Sequence, residues 1–150
     1  MSVTDKSSTK RIGGIPPEVR VSLRVYGEFL DPKLLTDGFG VTPSREYRRG
    51  DVISPRRIDA LRPNGMWLLD SPLPPQASID EQIQGILVQL PDSIGLWERL
   101  TDNYNRDLFC GVFVSQQISG ISVSSRTLAT IASRQLDLHI DLTVENDTEE

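Results

Sequence analysis

An α+β fold is predicted by three observations. Val19, Val21, Leu23 and Val25 alternate with Arg20, Ser22 and Arg24, the period-two pattern of a half-buried strand. Ser78 and Glu81 form a capping-box pattern ahead of Ile79, Ile83, Ile86, Leu87 and Leu90, which share one helical face. Strand-like and helix-like segments then follow one another along the chain, which suits a mixed sheet with helices packed on it.

The first strand falls within residues 19–29. Asp31 is a good N-cap, Pro32 suits the first helical position and Gly38 suits the C′ position, so a helix of about two turns is expected. Pro43, Pro55 and Pro63 make residues 43–65 a long connection with one irregular edge strand. Asn64-Gly65 signals a turn, and MWLLD (66–70) reads as the strand leaving it. After the bend SPLPPQ comes the capped helix, ended by Pro91. Asp92 or Ser93 caps a second helix carrying Ile94, Trp97 and Leu100.

LFCGVFV (108–114) is apolar on both parities, as a central strand covered on both faces would be. Ser124 or Ser125 caps a helix through Leu128, Ile131 and Ala132. In LDLHIDLTV, Leu136, Leu138, Ile140, Leu142 and Val144 point inward, and Asp137, His139 and Asp141 point the other way. The two ends of the chain echo each other: strand, Gly-containing turn, capped helix, extended chain. The expectation is a ferredoxin-like sandwich, with a mixed four- to five-stranded sheet and about four helices mainly on one face.

With 150 residues the chain suits one domain, expected over 18–144, between disordered polar tails at 1–17 and 145–150. Its longest apolar runs are too short to span a bilayer, and no secretory signal is visible, so no membrane partner is expected. A single cysteine, Cys110, excludes an intrachain disulfide and fits a reducing cytoplasm. The net charge is −5, which repels nucleic acid unless a local basic patch overcomes it.

Such a patch exists. REYRRGDVISPRRI with Arg62 places Arg45, Arg48, Arg49, Arg56, Arg57 and Arg62 within eighteen residues. Glu46, Asp51 and Asp59 reduce that stretch to +3, and Tyr47 is its only aromatic residue, so a nucleic-acid footprint is disfavoured. Residues 70–107 hold seven acids against Arg99 and Arg106, and the basic loop is expected to lie over that acidic helical region. Among contact residues, Arg48, Arg49, Arg56 and Arg57 are the candidates, because guanidinium on a loop suits carboxylate or phosphate. Trp67 joins them as a possible anchor, although its neighbours favour a core position for it and for Trp97.

Equipment for catalysis is sparse. His139 lies between Asp137 and Asp141 on one strand face, but alternate residues of a strand are roughly 7 Å apart, and no second cluster completes a metal site. A solvated face pairing Asp137 or Asp141 with Arg20 or Arg24 is the simpler reading. Cys110 reads as a buried structural thiol and Ser122, Ser124 and Ser125 as helix-cap residues. Neither a Walker A loop, a GxGxxG nor a GxSxG is present, so neither an enzyme nor a cofactor is expected, and no catalytic residue or metal is assigned.

In this order and spacing, VRVSLRVYGEFLDPKLLT, RRGD, GMWLLDS, ASIDEQIQGIL, LFCGVFV and SVSSRTLATIASRQLDLHIDL resemble a family of small bacterial proteins, domain of unknown function 4279, over about residues 18–143. The resemblance implies architecture and no catalytic residues. Some relatives are regarded as immunity proteins beside bacterial toxins. The expected function is thus a small cytoplasmic, non-catalytic protein-binding module, with a toxin as one candidate partner. The alternative is an anion-, nucleotide- or RNA-binding module using loop 45–62.

Overall fold

The alternation of VRVSLRV places β1 (Glu18–Gly27) at the middle of a sheet. In the computed structural model, which describes residues 17–115 and 120–144, Val19, Val21, Leu23 and Val25 are all buried. Asp31 then caps α1 (Pro32–Phe39) by accepting the Lys33 N–H. The helix runs past Gly38 and ends at Gly40, which takes the left-handed conformation with φ 71°. Gly38 serves packing instead: a Cβ there would come within 2.5 Å of the Leu100 side chain.

The long connection contains more regular structure than its prolines suggest. β2 (Arg45–Tyr47) is followed by a separate hairpin, β3 (Val52–Ser54) and β4 (Arg57–Leu61), before β5 (Gly65–Asp70). Gly65 is required by contact, since a Cβ would meet the Leu30 carbonyl oxygen at 2.3 Å. The Ser78–Glu81 capping box opens α2 (Ile79–Leu87), and Ser93 caps α3 (Ile94–Thr101). β6 (Asn105–Val114), α4 (Ser125–Ser133) with its cap at Ser124, and β7 (Asp137–Val144) complete the described chain.

The five strands are ordered β2-β5-β1-β6-β7. β1 is antiparallel to both neighbours and β2 to β5, while β7 runs parallel to β6. The sheet is therefore mixed, and with four helices among the described residues the fold is α+β. All four helices contribute to one core with Leu23, Trp67 and Cys110, which lie on the same side of the sheet. The ferredoxin-like detail and the echo between the chain ends are not confirmed. β1 and β5, joined through α1 and the hairpin, pair antiparallel, whereas the α4 crossover makes β6 and β7 parallel.

Two expected burials are corrected. β6 is covered by helices on one side only, leaving Phe113 exposed on the other. On β7, Leu136 just before the strand is buried and Leu138 half-buried, but Ile140, Leu142 and Val144 are exposed. The reason is length: α4 is nine residues long against eight extended residues of β7, and only Ile131, whose carbonyl accepts the Leu136 N–H, is tied to the entry of β7, while Thr127 bonds Gln84 of α2. The expected disordered tails fall, apart from residue 17, outside the described residues.

β1 also outruns β5, whose register with it stops at Ser22↔Asp70. Beyond that point the backbone of β1 would lack a neighbour. Ser71 N–H donates to Val21 O, Val19 N–H donates to Pro75 O, and the buried Gln82 side chain of α2 supplies the rest. Its Oε1 accepts from Val21 N–H at 3.2 Å, and its Nε2 donates to Val19 O at 2.6 Å. A helix side chain thus stands in for the missing strand.

Candidate functional site

The arginine stretch divides into a base and a tip. At the base, Arg48 donates to Asp31 at 2.9 Å, and Arg49 approaches Glu28 at 3.6 Å and lies 5.1 Å from the Phe29 ring. Arg62 stacks on Tyr47 at 4.0 Å, and its backbone closes the neck of the hairpin through Gly50 and Asp51. Asp51 also accepts the Arg48 N–H, so the turn at 48–51 is tied at both ends, with Gly50 at φ 93°. The partners of Arg48 and Arg49 thus come from the β1–α1 turn.

That placement corrects the expectation that the basic loop covers residues 70–107. Five of the seven acids there are engaged close by. Asp70 accepts the Ser22 hydroxyl, Asp80 the Ser124 N–H and Glu81 the Ser78 N–H, while Asp102 faces Arg106 and Asp107 holds Arg24. Helix caps and cross-strand pairs satisfy them, which a running charge count does not register.

At the tip, Ser54 and Arg57 are paired across a two-residue loop of Pro55 and Arg56. Arg56 and Arg57 are exposed, and neither forms an ion pair among the described residues. Val52, Ile53, Ile58 and Leu61 are 43–73% exposed, and no residue of β3 or β4 belongs to the core. These four side chains do nothing for the interior. Trp67 is no contact residue: it is fully buried on β5, donates its indole N–H to Thr36 Oγ1 at 3.0 Å and packs 5.5 Å from Phe39. Trp97 likewise lies in the core, its indole donating to Arg134 O.

The helix-free side of the sheet carries a second set of side chains. Arg24 makes a two-pronged bond to Asp107 at 2.8 and 2.6 Å and lies 4.6 Å from the Phe109 ring. This carboxylate raises the Arg24 pKa above its ordinary value, against the opposing effect of burial. His139 stacks on the Phe109 ring at 5.3 Å. The pairing expected between Arg20 or Arg24 and Asp137 or Asp141 does not form, because β6 stands between β1 and β7 and presents Asp107 first. A shallow cleft of about 470 Å³ lies beside this row, lined in part by Ser22, Ser44, Arg45 and Asp70.

No group of three or more His, Cys, Asp or Glu residues among those described could hold a metal ion. Cys110 is buried between the sheet and the helices, and burial pushes its pKa up to about 12. Its thiol is therefore protonated at neutral pH and a poor nucleophile. No helix among the described residues is long and apolar enough to cross a membrane. Sequence reasoning missed Gln82, Arg106 and Arg134. Gln82 is a polar residue at an inward helical position, and only its place on the helix face could have flagged it.

A family model described as Domain of unknown function (DUF4279) matches residues 17–145, and the chain belongs to that family. No curated protein and no solved structure matches the chain.

Proposed function

We propose that this member of the family is a small bacterial, cytoplasmic, non-catalytic module that binds a partner protein through the β3–β4 hairpin. The observation that carries the reading is the hairpin's composition against its position. Four large apolar side chains and two uncompensated arginines project from an element that adds nothing to the core. Single exposed apolar residues are ordinary, but Val52 paired with Leu61, together with exposed Ile53 and Ile58 on the same short element and two arginines without an ion pair among the described residues, is the make-up of a contact surface. A two-stranded hairpin is also marginal by itself, and the ion pairs of Arg48 and Arg49 lie at its base, not at its tip.

The partner surface suited to this tip is apolar with carboxylates set to meet Arg56 and Arg57. An immunity protein that neutralises a toxin is the narrower form of the reading, supported by the binding surface and by the family resemblance. The anion-binding alternative keeps less support, since Arg48 and Arg49 already face Asp31 and Glu28.

The test is a variant with Ile53, Ile58 and Leu61 replaced by serine, compared with the parent by size-exclusion chromatography of native extracts. A discrete complex of the parent, absent for a variant that folds normally, is the expected result. Retention of the complex by the variant would overturn the hairpin as contact surface.

A further inference from the structure

We infer that two copies of this chain pair through β7, antiparallel about a two-fold axis at Ile140, joining their five-stranded sheets into one. β7 is an edge strand, with β6 on one flank and no strand on the other among the described residues. Its eight residues run in unbroken register with β6, from Asp107↔Asp137 to Val114↔Val144. The outward N–H and C=O groups of such an edge are a template for another strand, and native edges are commonly blunted by short length, proline, lysine or a bulge. β2, the opposite edge, is only three residues long, whereas β7 carries none of these devices.

The helix side of β7 is apolar along its whole length. Leu138, Ile140, Leu142 and Val144 pair with Leu108, Cys110, Val112 and Val114 of β6, all core residues, and so share their face. α4 is tied only to the entry of this row, and Ile140, Leu142 and Val144 remain 42, 53 and 49% exposed. An apolar row that reaches an open edge is extended by the matching row of a second strand. Asp137, His139 and Asp141 lie on the helix-free face, where they either repel an incoming strand or match it.

Charge selects both the occupant and the register. A two-fold axis perpendicular to the sheet keeps the two faces matched, so only residues of like parity meet. An axis at Ile140 sets His139 opposite Asp141 of the second copy, twice over, with Leu138 opposite Leu142 and Asp137 opposite Thr143. An axis at His139 would set Asp137 against Asp141, and one at Asp141 would set that carboxylate against its own copy. Like charges directly opposite are destabilising. His139 rests on Phe109 at its β6 flank, and neither it nor Asp141 forms an ion pair among the described residues, so both are available to the incoming strand. If these three residues served only to keep the edge solvated, the exposed apolar row behind them would have no role. The β3–β4 hairpin follows β2 at the far edge of the sheet, so pairing through β7 leaves both hairpins free.

Sedimentation equilibrium of the whole protein tests the pairing. One strand pair buries little area, so a weak dimer with Kd on the order of 10–100 µM is expected, the mass rising with concentration toward twice 16.7 kDa. A single-chain mass at every concentration would overturn the proposal, and slow amide exchange along β7 in that monomer would show another segment of the chain covering the edge. Ile140→Cys reads the axis: the introduced thiols would sit on Cα atoms about 4.5–5.5 Å apart, within disulfide reach, and mild oxidation should give a covalent dimer. Leu142→Cys places them roughly 14 Å apart and should give none. Cys110 is buried and does not compete. Equal cross-linking at the two positions would overturn the register. His139→Asp, an exposed change, sets like charges opposite and should weaken dimerisation about 10-fold, and adding Asp141→His should restore it. Dimerisation indifferent to His139→Asp, or not recovered in the double variant, would also overturn the proposal.

Discussion

Replacing Gln82 by methionine should destabilise the protein far more than its helical surroundings suggest. The substitution keeps the length of the side chain and its helical propensity but removes both polar atoms. Val21 N–H and Val19 C=O, on the stretch of β1 that outruns β5, would then be buried without partners. The contacts from Gln82 to Pro74 O and Ala77 O, which hold the bend before α2, would go as well. Stranding a buried backbone group costs about 1–3 kcal/mol, so two such groups, partly offset by the apolar methionine, give a loss of about 3 kcal/mol. For a chain of this size that lowers Tm by about 9 °C. Thermal and urea unfolding measure it, with the urea midpoint falling and the slope unchanged. Gln89→Met, which removes an exposed bond to Gly85 O, is the control and should change stability by under ~0.5 kcal/mol. Equal midpoints for Gln82→Met and the parent would refute the substitution of side chain for strand.

Cys110 should resist alkylation by iodoacetamide in the folded protein and react fully in urea, because its thiol is buried and stays protonated. Its folded pKa of about 12 lies above the ordinary 9.0, so the folded state holds the proton that the unfolded state releases. The resulting stability is complete below the ordinary value and is lost as pH rises, by up to about 1.4 kcal/mol per pH unit across that window. Cys110→Ala should flatten the alkaline limb of a stability–pH curve, and an unchanged limb would contradict the assignment. Gly65→Ala should cost about 1–3 kcal/mol in urea unfolding, because the new Cβ would collide with the Leu30 carbonyl and only backbone movement can relieve it.

Features with local causes were legible in the sequence. The alternation of β1, the caps at Asp31 and Ser78 and the strand over MWLLD each depend on residues within a few positions, and each appears where expected, although Asn64-Gly65 forms no hairpin turn and Gly65 is already part of β5. Features decided by distant partners were not. Gly40 rather than Gly38 ends α1 because Leu100, over sixty positions away in sequence, needs the bare Cα of Gly38. Ile140, Leu142 and Val144 kept the inward parity of a strand face, but whether a helix lies above that face depends on where α4 ends. The arginine loop was misplaced for a related reason. Net charge along the chain ignores that caps and cross-strand pairs had already engaged most of the acids between 70 and 107. Within the candidate site, the cations were legible from composition; their division into a paired base and a free tip required coordinates.

The central claim, that the apolar tip of the β3–β4 hairpin serves a partner protein and not the fold, is tested most directly by site-specific photo-cross-linking in cells. A photoreactive residue at Ile58 is compared with one at Val88, which is also strongly exposed but lies at the end of α2, away from the hairpin. A discrete cross-linked species from position 58, absent from position 88 and lost when Arg56 and Arg57 are changed to glutamate, is the expected result. Indistinguishable cross-linking from the two positions would contradict it.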